Sequence, residues 1–260
     1  MLYTSSHKSK IMSVREARRS LITLFRDSVV RVKASSNNIV RKGTGFFVSA
    51  DGTLLTCNHV VSYFQPDEKG HITLNYFPRI EIETKQRGVL PAKIIHDLNS
   101  THPVFEDYAI LKADISSITP LRLGDHNSVQ SGDDVLILGY PFGLPQLCAT
   151  SGIVSAKHRS PSKFNAMVVL EQIRIDGSVN VGNSGGPLVD LYNQFVVGIV
   201  SIRLGDLSEL IERLKRRGDT PSDLIEILET SNRYLNVGIG EAISIRYALN
   251  ELRQLGIELP

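Results

Sequence analysis

Between Val29 and about Ala113 the apolar residues come in short runs broken by turn residues, and this spacing limits the fold more than any other feature. Val29-Val30-Arg31-Val32-Lys33 opens the series. Gly45-Phe46-Phe47-Val48-Ser49 and Thr53-Leu54-Leu55-Thr56 then flank Ala50-Asp51-Gly52, and Asp-Gly between apolar runs signals a hairpin. Ile72-Thr73-Leu74-Asn75-Tyr76-Phe77, Gly88-Val89-Leu90-Pro91-Ala92-Lys93-Ile94-Ile95 and Tyr108-Ala109-Ile110-Leu111 complete the block. Short strands at turn-separated intervals predict a closed antiparallel barrel. The pattern repeats from about Leu121 to Arg203, in Val135–Leu138, Gly152–Ser155, Met167–Leu170 and Phe195–Ser201, and predicts a second barrel.

Helical spacing is confined to three places. Ser13-Val14-Arg15-Glu16 is a capping-box signature, and Val14, Ala17, Leu21, Ile22, Leu24 and Phe25 form an apolar stripe over a helix expected at 14–26. Two helical patterns follow Arg203. Asp206-Leu207-Ser208-Glu209 can cap the first, with Leu207, Leu210, Ile211 and Leu214 on one face and Gly218 at its end. Thr220-Pro221-Ser222-Asp223 opens the second, ahead of Leu224, Ile225 and Leu228. This insertion, at about 205–232, reads as a lid, a gate, an oligomer contact or a plain addition packed on the barrel. The last pattern runs from Ser244 to Leu255, with Ile245, Ala248, Leu249 and Leu252 on one face. The expected organisation is a basic N-terminal segment and helix (1–28), a first β-barrel (29–117), a second with the insertion (118–243) and a C-terminal helix (244–260).

Three short segments carry chemistry. Gly182-Asn183-Ser184-Gly185-Gly186-Pro187 sets one serine among glycines, which permit backbone conformations that bulkier residues resist. Such a turn can present Ser184 and aim backbone N–H groups at a developing oxyanion, although a plain turn would use the same glycines. Thr56-Cys57-Asn58-His59 places a histidine at a strand end. Glu106-Asp107-Tyr108-Ala109-Ile110-Leu111 places a carboxylate ahead of another strand, where it can orient an imidazole. Cys57, next but one to His59, is a rival nucleophile, but Ser184 already has the fitting turn. Asp97 is a rival acid, since it also follows an apolar strand.

The order His59, Asp107, Ser184 and the residues around each resemble a trypsin-fold serine peptidase of the HtrA/Deg branch. Gly43-Thr44-Gly45-Phe46-Phe47-Val48, Leu138-Gly139-Tyr140-Pro141-Phe142-Gly143-Leu144, Thr150–Ser155, Asp176–Asn180 and Asn236–Ile243 continue the resemblance, which spans about residues 29–256. It favours Asp107 over Asp97. It implies a mainly β protein of two six-stranded antiparallel barrels, with the site in the cleft between them. It also implies a serine endopeptidase acting on extended or unfolded polypeptide. His59 is then the base, Asp107 its orienting acid, Ser184 the nucleophile, and the N–H groups of Gly182 and Ser184 the oxyanion hole. Ser178, six residues before the nucleophile, matches the floor of the first specificity pocket, and an uncharged floor suits no basic side chain. Val179 and the strand Ile199, Val200, Ser201 and Ile202 would line an apolar pocket, giving cleavage after small or medium aliphatic residues. The alternative is a latent or inactive peptidase fold serving as a binding or scaffold module. Four residues follow Gly256, so the PDZ domain common after such protease domains is expected to be absent.

Composition narrows the partners. A chain of 260 residues, 42% hydrophobic, can bury a core without disulfide staples, and Cys57 and Cys148 are expected as reduced thiols. No metal-ligand spacing and no cofactor motif appears, and the other histidines are scattered. Residues 1–12 are expected to be disordered. They have no apolar signal core and no run suits a membrane helix, so a cytoplasmic location is expected. Met1 to Lys42 hold ten Lys or Arg residues against Glu16 and Asp27. A solvated helix face explains this better than nucleic-acid binding, because aromatic residues are sparse there. The partners expected are a polypeptide substrate and a homo-oligomer.

Overall fold

The computed structural model describes residues 13–66, 72–97, 100–162, 165–203, 211, 214–215, 217–218, 221–234 and 238–260. The disorder expected for residues 1–12, most of the first helical pattern after Arg203 and the side chain of Ile202 fall outside the described residues. The chain is mainly β, as expected. Strands β1 (Val29–Ser35), β2 (Val40–Phe47), β3 (Thr53–Thr56), β6 (Arg79–Thr84), β7 (Gly88–Ile94) and β8 (Ala109–Ala113) close a first barrel in the order β1-β2-β3-β8-β7-β6. Between β3 and β6 lie helix α2 (Asn58–Val61) and a two-stranded sheet of β4 (Ser62–Pro66) and β5 (Ile72–Tyr76). The second barrel closes in the order β10-β11-β14-β13-β12-β9. Its strands are β9 (Asp134–Gly139), β10 (Cys148–Pro161), β11 (Val169–Asp176), β12 (Pro187–Asp190), β13 (Val196–Arg203) and β14 (Ile239–Ser244). Closure leaves neither ring an unpaired edge.

The hairpin at Asp51 forms as its sequence predicts. Gly52 takes φ +92°, and the Asp51 carboxylate accepts from the Thr53 N–H at 2.9 Å and from its hydroxyl at 2.7 Å. Helix α1 (Val14–Phe25) starts on the capping box: Ser13 Oγ accepts from the Glu16 N–H, and the Glu16 carboxylate accepts from the Ser13 N–H. Ala17, Leu21 and Phe25, spaced by four, are its buried residues and join the core. Leu24 stays exposed, because it falls off that narrow stripe. Burying Leu21 and Phe25 contributes roughly 1.5–3 kcal/mol each.

A continuous apolar cluster joins α1, the first barrel, Leu136 and Leu138 of β9, and helix α5 (Arg246–Gln254) through Ala248 and Leu252. The interior of the second barrel is a separate cluster around Ile137, Val154, Ile173, Leu188 and Val200. Helix α4 (Ser222–Tyr234) differs from its surroundings. Leu224 and Ile227 are exposed, Ile225 and Leu228 are half-buried, and from Ser222 to Ser231 no side chain is fully buried. Helix α3 (His102–Phe105) is one turn leading to β8.

Three of the N-terminal basic residues pair with carboxylates of the body. Arg18 pairs with Asp134 at 3.5 Å, Lys33 with Glu81 at 3.7 Å, and Arg31 with Glu83. Both cysteines are thiols outside any disulfide. Cys57 is buried, and Cys148 opens β10 opposite Gly139. Among the described residues no helix is long and apolar enough to cross a membrane.

Candidate active site

His59 sits on α2, directly after β3, so the barrel wall fixes its Cα. Arg41 of β2 donates to its carbonyl at 3.2 Å. Asp107 lies between α3 and β8 and is buried. One carboxylate oxygen accepts from the His59 backbone N–H at 3.0 Å, and Nδ1 lies 3.0 and 2.8 Å from the two oxygens. A carboxylate only accepts, so Nδ1 carries the proton and the Nε2 lone pair is free to act as a base. Burial pushes the Asp107 carboxyl up. Attraction to the His59 ring once it takes up a second proton, and hydrogen bonds from His59 and Ser201, outweigh it and hold the carboxyl below the usual carboxylate range.

Ser184 enters from the second barrel, on the turn before β12. Gly182 has φ +100°, and a Cβ there would lie 2.4 Å from the Tyr140 carbonyl oxygen. Gly185 has φ +87°, and a Cβ there would meet the Thr44 carbonyl at 2.1 Å. Only glycine fits both the dihedrals and the space. Both barrels grip the turn. The Thr44 N–H donates to the Ser184 carbonyl at 2.9 Å, and Thr44 Oγ1 donates to the Gly182 carbonyl at 2.7 Å. From β13, the Val200 carbonyl accepts the Gly185 N–H at 2.8 Å. The Val181 carbonyl accepts from the Phe142 N–H at 2.5 Å. With these carbonyls engaged, the N–H groups of Gly182 and Ser184 make no hydrogen bond among the described residues.

Ser201 is placed otherwise than expected. Beside β14 the register of β13 shifts between Val200 and Ile202, leaving Ser201 as a bulge residue. A bulge re-aims a side chain. Ser201 Oγ donates to Asp107 Oδ2 at 2.5 Å, and its carbonyl accepts the Ser184 hydroxyl at 3.2 Å. Its side chain is therefore engaged with the acid. Val179 and Val200 lie in the second barrel's interior and Ile199 in the shared core, all with at most 2% exposure. Among the described residues, the closed barrel thus turns the side chains of Val179, Ile199 and Val200 inward, away from the apolar pocket expected of them. Ser178 is exposed on the loop after β11.

Cys57 also reaches the cluster. Its ligand atom and those of His59 and Asp107 lie within 4.8 Å of one another. The thiol donates to the Val200 carbonyl at 3.3 Å, and the imidazole and carboxylate are engaged with each other, so the arrangement reads as a packed thiol. Thr44, Arg41 and the true position of Ser201 were not read from the sequence. Thr44 sits beside a recognisable motif, whereas the bulge has no local signature.

A family profile described as Trypsin-like peptidase domain matches residues 43–199. The chain belongs to the trypsin-like peptidase domain family. This trypsin-like chain is homologous to DegP/HtrA serine proteases. It is 36% identical over 159 residues to a "Probable periplasmic serine endoprotease DegP-like" of Pseudomonas fulva, covering 61% of this chain and 28% of that protein. Against human "Serine protease HTRA4" the identity is 34% over 169 residues, covering 64% and 31%. The chain thus spans about a third or less of these relatives. Among solved structures, the HtrA-type protease AlgW with tripeptide superposes with TM-score 0.66 at 24% identity, covering 91% of this chain and 62% of that one. The active form of the Rv3671c protease from M. tuberculosis gives TM-score 0.66 at 21% identity, covering 94% and 87%. Both likenesses show the trypsin-like fold. The cytoplasmic location expected from the first residues is overturned: the DegP-like relatives are described as periplasmic.

Proposed function

We propose that this trypsin-like chain is a serine endopeptidase hydrolysing extended polypeptide through His59, Asp107 and Ser184. The observation carrying this reading is the His59–Asp107 pair, with its proton on Nδ1, next to a serine turn whose Gly182 and Ser184 N–H groups are left for a ligand. The Ser184 hydroxyl turns from the Ser201 carbonyl to Nε2 when substrate binds. His59 takes its proton as the oxygen attacks the carbonyl carbon, then delivers it to the leaving amine, and water completes the second half. The two N–H groups hold the oxyanion, each donor supplying about 3–4 kcal/mol to the transition state.

A pocket of about 500 Å³, lined by Arg31, Lys42, Glu81, Val89, Tyr140 and Gly143 among others, lies on the first barrel, and none of His59, Asp107 and Ser184 lines it. Preference for small or medium aliphatic residues rests on Ser178 alone, which offers a basic side chain no counter-charge. The peptide bound to AlgW supports a polypeptide substrate by homology. A fluorophosphonate probe tests the reading. The parent chain becomes labelled, Ser184→Ala does not, and Asp107→Asn reacts about 10³–10⁴ times more slowly. Labelling that persists in Ser184→Ala overturns it.

A further inference from the structure

Asp107 is held in a backbone conformation that few side chains adopt, with φ +50°. Left-handed backbone costs a non-glycine residue about 1 kcal/mol or more and persists only where its surroundings enforce it. The enforcement is visible on both sides. Before Asp107, the α3 turn is closed by the Asp107 N–H to the Val104 carbonyl at 3.3 Å, and Ser162 of the second barrel donates to the Phe105 carbonyl. After it, the Tyr108 N–H donates to the Pro103 carbonyl at 3.1 Å. The buried Tyr108 ring then extends to the C-terminal helix, where its hydroxyl donates to the Glu251 carboxylate of α5. Helix α5 is itself anchored, with Ala248 and Leu252 fully buried in the core.

We propose that Tyr108, through Glu251, is a positioning residue for the catalytic acid. The Asp107 carboxylate must meet three donors at once: the His59 N–H, His59 Nδ1 and Ser201 Oγ. Such a constellation tolerates little displacement, and about 1 Å of error can cost 10²-fold in rate. The peptide leaving Asp107 is fixed by the tyrosine that follows it. A charge-assisted bond to an anchored helix gives that tyrosine a fixed end point. Helix α5 therefore sets the acid from outside the barrel, although no residue of it touches His59 or Ser184 among the described contacts.

The inference rests on Ser184 being the nucleophile, and two readouts keep the questions apart. Fluorophosphonate phosphonylation gives a limiting rate and an apparent affinity. Proton NMR of the full chain reports the His59 Nδ1–H bond to Asp107 as a far-downfield resonance and needs no turnover. Tyr108→Phe preserves the ring and removes the bond. It lowers the limiting rate about tenfold with affinity unchanged, and shifts or broadens the downfield resonance. Glu251→Gln keeps an acceptor and restores the parental rate and spectrum, whereas Glu251→Leu matches Tyr108→Phe. The double variant Tyr108→Phe with Glu251→Leu is no worse than either single one. A parental rate and resonance in Tyr108→Phe, or losses that multiply in the double variant, overturn the proposal. A parent chain that never labels counts against the peptidase reading instead, and the resonance still decides the role of Tyr108.

Discussion

At the scale of single residues, the site combines a rigid acid with a hydroxyl at rest. Asp107 is saturated by donors, and Ser184 is parked on the Ser201 carbonyl. Gly182 and Gly185, on either side of Ser184, leave no room for a side chain. Gly182→Ala would put a methyl group 2.4 Å from the Tyr140 carbonyl oxygen on a φ of +100°. The turn must then rotate and lose the aim of its N–H groups. The expected result is a fluorophosphonate labelling rate at least about 10²-fold lower, with thermal unfolding shifted by only a few degrees. Labelling at the parental rate would show that the turn has another stable form.

At the scale of elements, the helices separate into anchored and unanchored. Removing the α1 cap with Ser13→Ala is expected to cost about 1 kcal/mol in urea unfolding, since the same hydroxyl accepts the Glu16 N–H and faces its carboxylate. How far the sequence revealed each element follows from its surroundings. The Asp51 hairpin and the capping box are local, so they were legible. Strand β6, Arg-Ile-Glu-Ile-Glu-Thr, was not read as a strand, because Arg79, Glu81 and Glu83 mask the inward Ile80 and Ile82. The four-residue β12 is hidden behind the glycine turn it follows. His59, Asp107 and Ser184, the proposed triad, were legible through their flanking motifs. Ser201 was misplaced because a bulge, created by pairing with β14, inverts the alternation read from an isolated strand. Helix α4 shows the reverse failure: its apolar stripe was read correctly, but spacing alone does not say what covers it.

At the scale of the whole molecule, charge burial sets the pH range of the fold. His96, between β7 and β8, is 4% exposed, and its Nδ1 accepts the Ile110 N–H at 3.2 Å, so it is held neutral. Burial lowers its pKa to about 4, against a smaller opposing pull from Asp97. The unfolded chain takes up a proton below about pH 6.5 that the folded chain refuses. Stability contributed by the neutral ring is full above that pH and is lost as pH falls from about 6.5 to 4, by roughly 3 kcal/mol. Urea midpoints measured across this window should fall steeply for the parent and more gently for His96→Gln. Equal slopes would place the acid sensitivity elsewhere.

The grip of Thr44 on the serine turn has a wider consequence. Ser184 and Gly182 belong to one barrel, and the donors that hold their carbonyls belong to the other. A chain whose barrels have come apart keeps His59, Asp107 and Ser184 but loses the scaffold that aims them. Separation of the barrels thus frees the Ser184 and Gly182 carbonyls and releases the turn that aims the Gly182 and Ser184 N–H groups.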